Sequence, residues 1–139
     1  MNTFRLAFLP GIVAGVISIF TSWLWMGVIF HPYQQRTPGT WRRESGRSYF
    51  RASAIHFFAA IAIAVFYAQI AQHAPEMFDS GLPCAIAFAV TIWAIFSLPM
   101  VLEAAIFINL HPLVVLGQLL DWLSTSLLAC VLTAWWIRR

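Results

Sequence analysis

Apolar residues in this chain gather into four long runs, 6–30, 52–71, 82–110 and 113–137, separated by polar breaks. Each run reaches or exceeds the roughly 20 residues that a helix needs to cross about 30 Å of hydrocarbon. Lipid supplies no partners for backbone N–H and C=O groups, so runs of this kind must satisfy them internally as helices. The pattern predicts an all-α, integral membrane four-helix bundle, a single domain over 1–139. The first run follows one arginine, as a signal peptide would. It continues to Phe30 with no small-residue cleavage pattern at its end, and is read as a retained span.

The breaks differ in character. The stretch 31–51 carries Arg36, Arg42, Arg43, Arg47 and Arg51, a Pro38-Gly39 turn signal, and the aromatics Trp41, Tyr49 and Phe50. It is expected to lie at the membrane surface, where aromatic rings and arginine heads favour the interface. The second connection, 72–81, holds Glu76 and Asp79 and no basic residue, and the third is little more than His111 and Pro112. An even number of spans puts both termini opposite the Arg loop. Five arginines on that loop outnumber Arg5, Arg138 and Arg139. The positive-inside rule then places the loop in the cytoplasm and both termini outside, in a bacterial inner membrane.

Composition agrees with the pattern: 61% of residues are hydrophobic and 9% charged, more apolar surface than a soluble domain of this length could hide. All eight basic residues are Arg, with no long basic run or aromatic-basic interleaving, so nucleic acid is not an expected partner. Cys84 and Cys130 sit inside apolar runs without metal-type spacing and are expected to act as small hydrophobes. In the first run Gly11, Gly15, Ser18 and Ser22 form a small-residue stripe at helical spacing, a packing face for a neighbouring helix.

Ionisable residues inside the runs are His56, Glu103 and Asp121. A charge near the bilayer centre costs roughly 2.5–3.5 kcal/mol even on the lenient insertion scale, so each needs a partner or water. With His31, Asn109, His111 and Gln118 they all lie toward the Arg-loop side, which predicts a polar cavity in that leaflet. Pro99, four residues before Glu103, is expected to kink the third helix and free a carbonyl near Ile95. On the fourth, Gln118, Asp121 and Thr125 share a face. The purely structural alternative has Glu103 bonded to a histidine or a loop arginine, and Asp121 to a nearby Trp or Ser. No histidine pair has i, i+4 metal-site spacing and no phosphate loop or nucleophile elbow occurs, so no metal or cofactor is expected.

Two stretches resemble a known family. Trp23, Leu24, Trp25, Phe30, His31, Pro32, Tyr33 and Trp41 at the exit of the first run resemble the tryptophan, tyrosine and proline signature of the domain-of-unknown-function 1761 family. The closing stretch, 106–136, resembles that family's last part, and the two together cover about half the chain; His31 departs from the family pattern. The resemblance implies a compact four-span bacterial membrane protein and brings no activity with it. Three functions remain open. The first is a non-enzymatic bundle that binds a lipid, a hydrophobic small molecule or a membrane partner. The second is a small proton- or cation-coupled transporter acting as a homo-oligomer through Glu103 and Asp121. The third is an interfacial lipid-modifying enzyme with His56 and Glu103 as acid and base.

Overall fold

The computed structural model describes residues 3–75 and 81–138. Among them are four helices long and apolar enough to cross a bilayer: Ala7–Ile29, Gly46–His73, Leu82–Phe107 and Pro112–Ile137. The chain is an integral membrane protein, an all-α bundle of four spans. Glu76, Asp79 and Arg139 lie outside the described residues, as does the side chain of Arg5.

The bundle is built small inside and large outside. Ala14, Ala60, Ala64 and Ala129 form one fully buried cluster, while Ala85, Ala89, Cys130 and Ala134 form another with Tyr67. Large apolar side chains point away from the axis: Phe58 is 66% exposed, Phe96 64% and Phe107 82%. In water this would be a disordering surface, but against lipid tails it costs nothing. Helix association then depends on close backbone approach rather than on burying bulk. Neither Cys84 nor Cys130 forms a disulfide.

The small-residue stripe serves that approach. A Cβ on Gly11 would sit 3.1 Å from the Ile61 Cα, and one on Gly15 would sit 2.9 Å from the Phe57 carbonyl oxygen, so the first and second spans touch backbone to side chain. The fourth span packs against all three others, the second and third meeting it in the cluster around Tyr67. Phe66 and Tyr67 also place their rings 5.8 and 5.4 Å from that of Phe88 on the third span.

Element ends differ from the hydrophobic runs in informative ways. The second helix starts at Gly46, not near residue 52, because Ser45 caps it by accepting from the Ser48 N–H at 3.2 Å. Arg47, Ser48 and Arg51 suit a helix well although they do not suit lipid. Hydropathy marks what faces the bilayer, and a helix continues beyond it. The third helix ends at Phe107, leaving Ile108–His111 as a true turn. His111 is held extended by the following Pro112, and the Asn109 carbonyl accepts from the Thr40 hydroxyl at 2.9 Å.

Two spans contain π-helical turns, Trp23–Ile29 and Trp93–Ser97. The second lies immediately before Pro99, whose missing N–H would leave the Ile95 carbonyl without its helical donor. The ladder instead widens, with Leu98 N–H reaching back to the Trp93 carbonyl. The kink expected at Pro99 thus takes the form of a π-turn.

Gly15→Leu should force the first and second spans apart and cost on the order of 1–3 kcal/mol, the usual range for overpacking a tight contact. Gly39→Ala, which meets nothing within 4 Å, should leave stability unchanged. Unfolding of the two variants in detergent micelles compares them directly.

Candidate functional site

Toward the loop end of the bundle, three spans converge on one carboxylate. Asp121 lies about 14 Å from the start of its helix at Pro112, and His56 about 15 Å from the start of its helix at Gly46, so both sit roughly a third of the way along their helices from the loop end. Asp121 and His56 are both buried.

Their contacts are specific. The Ser22 hydroxyl, last of the small-residue stripe, donates to Asp121 Oδ2 at 2.9 Å. His56 Nε2 lies 3.3 Å from the same oxygen and 3.2 Å from Ser22 Oγ. On its other side His56 Nδ1 is 3.4 Å from Thr125 Oγ1, and the Thr125 hydroxyl donates to the Asp121 backbone carbonyl at 3.1 Å. The Trp122 ring stacks on the imidazole at 4.7 Å.

Ser22 and Thr125 each have one hydroxyl hydrogen, one directed to the carboxylate and one to a backbone carbonyl. Both ring nitrogens of His56 thus face oxygens that can accept. An imidazolium opposite an ionised Asp121 satisfies every one of these contacts, and in that form the pair is neutral overall. Asp121 Oδ1, in contrast, is buried and has no hydrogen-bond partner. An orphaned buried acceptor of this kind costs about 1–3 kcal/mol, more when charged.

The pair forms part of the wall of a cavity of about 1090 Å³. Its apolar lining comes from Ile19, Phe20, Trp23 and Met26 of the first span, Met100, Val101 and Ala104 of the third, and Trp122 of the fourth. Ser22, His56, Asp121 and Gln118 supply polar groups at depth, and His31, Gln34, Glu44 and Tyr49 supply them from the loop. At the loop end, Glu44 accepts from the Tyr49 hydroxyl at 2.8 Å and lies 3.6 Å from His31 Nδ1. Among the described residues no arginine lines this cavity. The Arg36 guanidinium lies 5.0 Å above the Tyr33 ring, and Arg42 and Arg43 line a smaller adjoining pocket that shares Glu44 and Tyr49 with the cavity.

Of the residues singled out from the sequence, His56, Asp121, Gln118 and His31 line the cavity together. Glu103 does not join them. Its side chain is exposed on the outer surface of the third span, about 6 Å from the helix end at Phe107, within reach of the interface. The structure accordingly separates Glu103 from both His56 and Asp121 as cavity groups. His111 stacks on Tyr33 at 5.2 Å and accepts from the Leu113 N–H at 3.2 Å, shaping the last turn. Asn109 is exposed and contributes its carbonyl to the same turn.

Sequence reasoning placed Ser22 with the packing residues and overlooked Glu44, Thr125 as a hydrogen-bond partner of His56, and the ring of Trp122. The signal for Ser22 was its position, the one stripe residue nearest the loop and level with the buried ionisable groups. Two tryptophans bind the fourth span at this depth. Trp25 Nε1 donates to Ser124 Oγ at 3.0 Å and Trp93 Nε1 to the Leu119 carbonyl at 2.9 Å, each from one of the π-turns. No group of three or more potential metal ligands occurs among the described residues.

Nitrogen NMR of the histidine rings tests the hydrogen count. His56 in the native protein should show both nitrogens protonated at neutral pH, and Asp121→Asn should convert it to a neutral ring. A neutral His56 in the native protein would overturn the assignment.

Compared with known proteins, the chain matches no family model, no curated protein and no solved structure.

Proposed function

We propose that this protein binds an amphiphilic small molecule between its spans, with the apolar part along the Phe20, Trp23, Met100 and Trp122 surfaces and the polar part at Asp121. The observation that carries the reading is the cavity itself. At about 1090 Å³ it is slightly larger than the usual small-molecule site, and it combines apolar walls with a few convergent polar groups, as such sites do. The orphaned Asp121 Oδ1 supports a ligand with a hydrogen-bond donor.

An acyl-transfer or hydrolytic reading has less support. In a nucleophile-activating relay the imidazole stands between hydroxyl and carboxylate, one ring nitrogen for each. Here Ser22 and Asp121 both meet the same nitrogen, and Nδ1 is engaged by Thr125. The hydroxyl also gives its hydrogen straight to the carboxylate. That arrangement holds a charge in place and does not raise the nucleophilicity of Ser22. Glu103, exposed on the third span, does not line the cavity beside His56, so the acid-base pair that an interfacial enzyme would need has no support there.

On this reading the loop faces the bacterial cytoplasm, in keeping with its five arginines, and the cavity is entered from that side. A phosphatase fused after Arg139 should be active in whole cells, since it reports an external terminus. An inactive fusion alongside an active cytoplasmic reporter at the same position would reverse the orientation.

Filling the cavity tests the binding reading. Ala104→Trp places a large ring where Ala104 now lines the wall. It should weaken binding of an environment-sensitive fluorescent alkyl probe at least about tenfold, with unfolding in detergent unchanged. Equal binding by the filled variant would remove the basis for the proposal.

A further inference from the structure

Resting on that reading, we propose that the ligand class is a lipophilic ammonium ion, and that it binds in exchange for the single proton held by His56 and Asp121.

The charges and donors around the cavity favour this class. Its wall carries two carboxylates, Asp121 at depth and Glu44 at the loop end, each with a histidine beside it, and among the described residues no arginine. An anionic head would compete with both carboxylates for those histidines. An ammonium head supplies N–H donors, which the unpartnered Asp121 Oδ1 lacks. It also finds aromatic surface beside that carboxylate, Trp122 at depth and Trp23 and Phe20 along the wall, and rings of this kind attract cations at their faces. Its alkyl chain fits the Met100 and Val101 side of the cavity.

The exchange follows from charge conservation in a low-dielectric place. In the unliganded state the site sums to zero: imidazolium plus, carboxylate minus. Bringing in an ammonium without losing anything would leave one net positive charge within the apolar part of the bundle, which costs several-fold more than at the surface. Releasing the His56 proton restores neutrality. The Nε2–H bond breaks, its electron pair stays on the ring, and the proton passes to water in the cavity and out past the loop. The ammonium takes the place of the imidazolium opposite Asp121. The titratable groups facing the pair from each packed element are limited. The first span contributes Ser22 and no ionisable side chain, the third contributes none to the cavity, the loop contributes Glu44 and His31 with Arg42 and Arg43 in the adjoining pocket, and the first turn of the second helix contributes Tyr49. Glu44 and His31, already 3.6 Å apart, are the groups next to the departing proton's route.

The test uses the full chain in lipid nanodiscs, with octylammonium and octanol as probes and nanodiscs without protein as the partition control. Octylammonium remains charged throughout pH 6–8, so any proton released comes from the protein. Calorimetry in two buffers of different ionisation enthalpy should count close to one proton released per octylammonium bound. The apparent affinity should rise about tenfold per pH unit, as one-for-one exchange requires. Octanol should bind at least about tenfold more weakly and release no proton. Asp121→Asn should lose the preference for the ammonium.

Equal affinity for the two probes, or a proton count near zero in the native protein, would overturn the exchange. Those results would leave the cavity reading intact as long as Ala104→Trp still weakens both probes. Binding unaffected by Ala104→Trp would instead remove the site itself.

Discussion

A carboxylate buried inside a membrane bundle has to be balanced by groups on other helices, and Asp121 is held by two. His56 reaches it from the second span and Ser22 from the first. The desolvation cost of burying a charge pair is several kcal/mol per ion, so such pairs contribute little net stability while making one arrangement of helices far better than its neighbours. Sliding any of these three spans by a single residue would rotate a polar side chain toward lipid and leave the others unpaired. The bundle's register along the membrane normal is tied to this one point.

The small-residue interior makes the point reachable. Imidazole, hydroxyl and carboxylate come within 3.3 Å of one another only because the first and second spans approach at Gly11 and Gly15, close enough for a Cβ to collide. The stripe and the polar cluster are consecutive parts of one face, with Ser18 fully buried between the glycines and Ser22. Packing and chemistry are therefore not separate regions of the first span. The stripe sets the distance at which the pair can form.

Much of the fold was legible in the sequence, and the reason is the solvent. Hydrocarbon tolerates so few charges and so little unpaired backbone that four long apolar runs leave essentially one architecture. Helix ends were less legible, because hydropathy reports lipid contact and says nothing of Ser45 capping a helix that begins in water. The site was legible in part. His56, Asp121, Gln118 and His31 stood out as polar groups in an apolar stretch. Glu103 stood out equally, yet it faces outward. A lone acidic residue about a turn from a helix end can reach the interface without a partner, whereas Asp121 cannot, and that difference depends on where the helix stops. Ser22 and Trp122 were hidden because serine and tryptophan are ordinary in membrane helices. Only their meeting with His56 gives them a role.

The two π-turns explain why a cavity exists beside so tight a contact. A π-turn inserts an extra residue into the helical ladder, shifting the face that follows by about a quarter turn and widening the helix locally. In the first span this happens at Trp23–Ile29, directly after Ser22, and in the third at Trp93–Ser97, directly before the cavity-lining Met100, Val101 and Ala104. Each turn also donates an indole N–H to the fourth span, at Ser124 and at the Leu119 carbonyl. Both helices are thereby fastened to the fourth at the level of Asp121 while their paths change there. On the terminal side of this level the second, third and fourth spans pack closely around Tyr67. On the loop side the redirected first and third spans stand with the second and fourth around the cavity. An uninterrupted α-helix at either position would present a different face to the fourth span and move the tryptophan that anchors it. The π-turns are what allow one bundle to be closed at one end and open at the other.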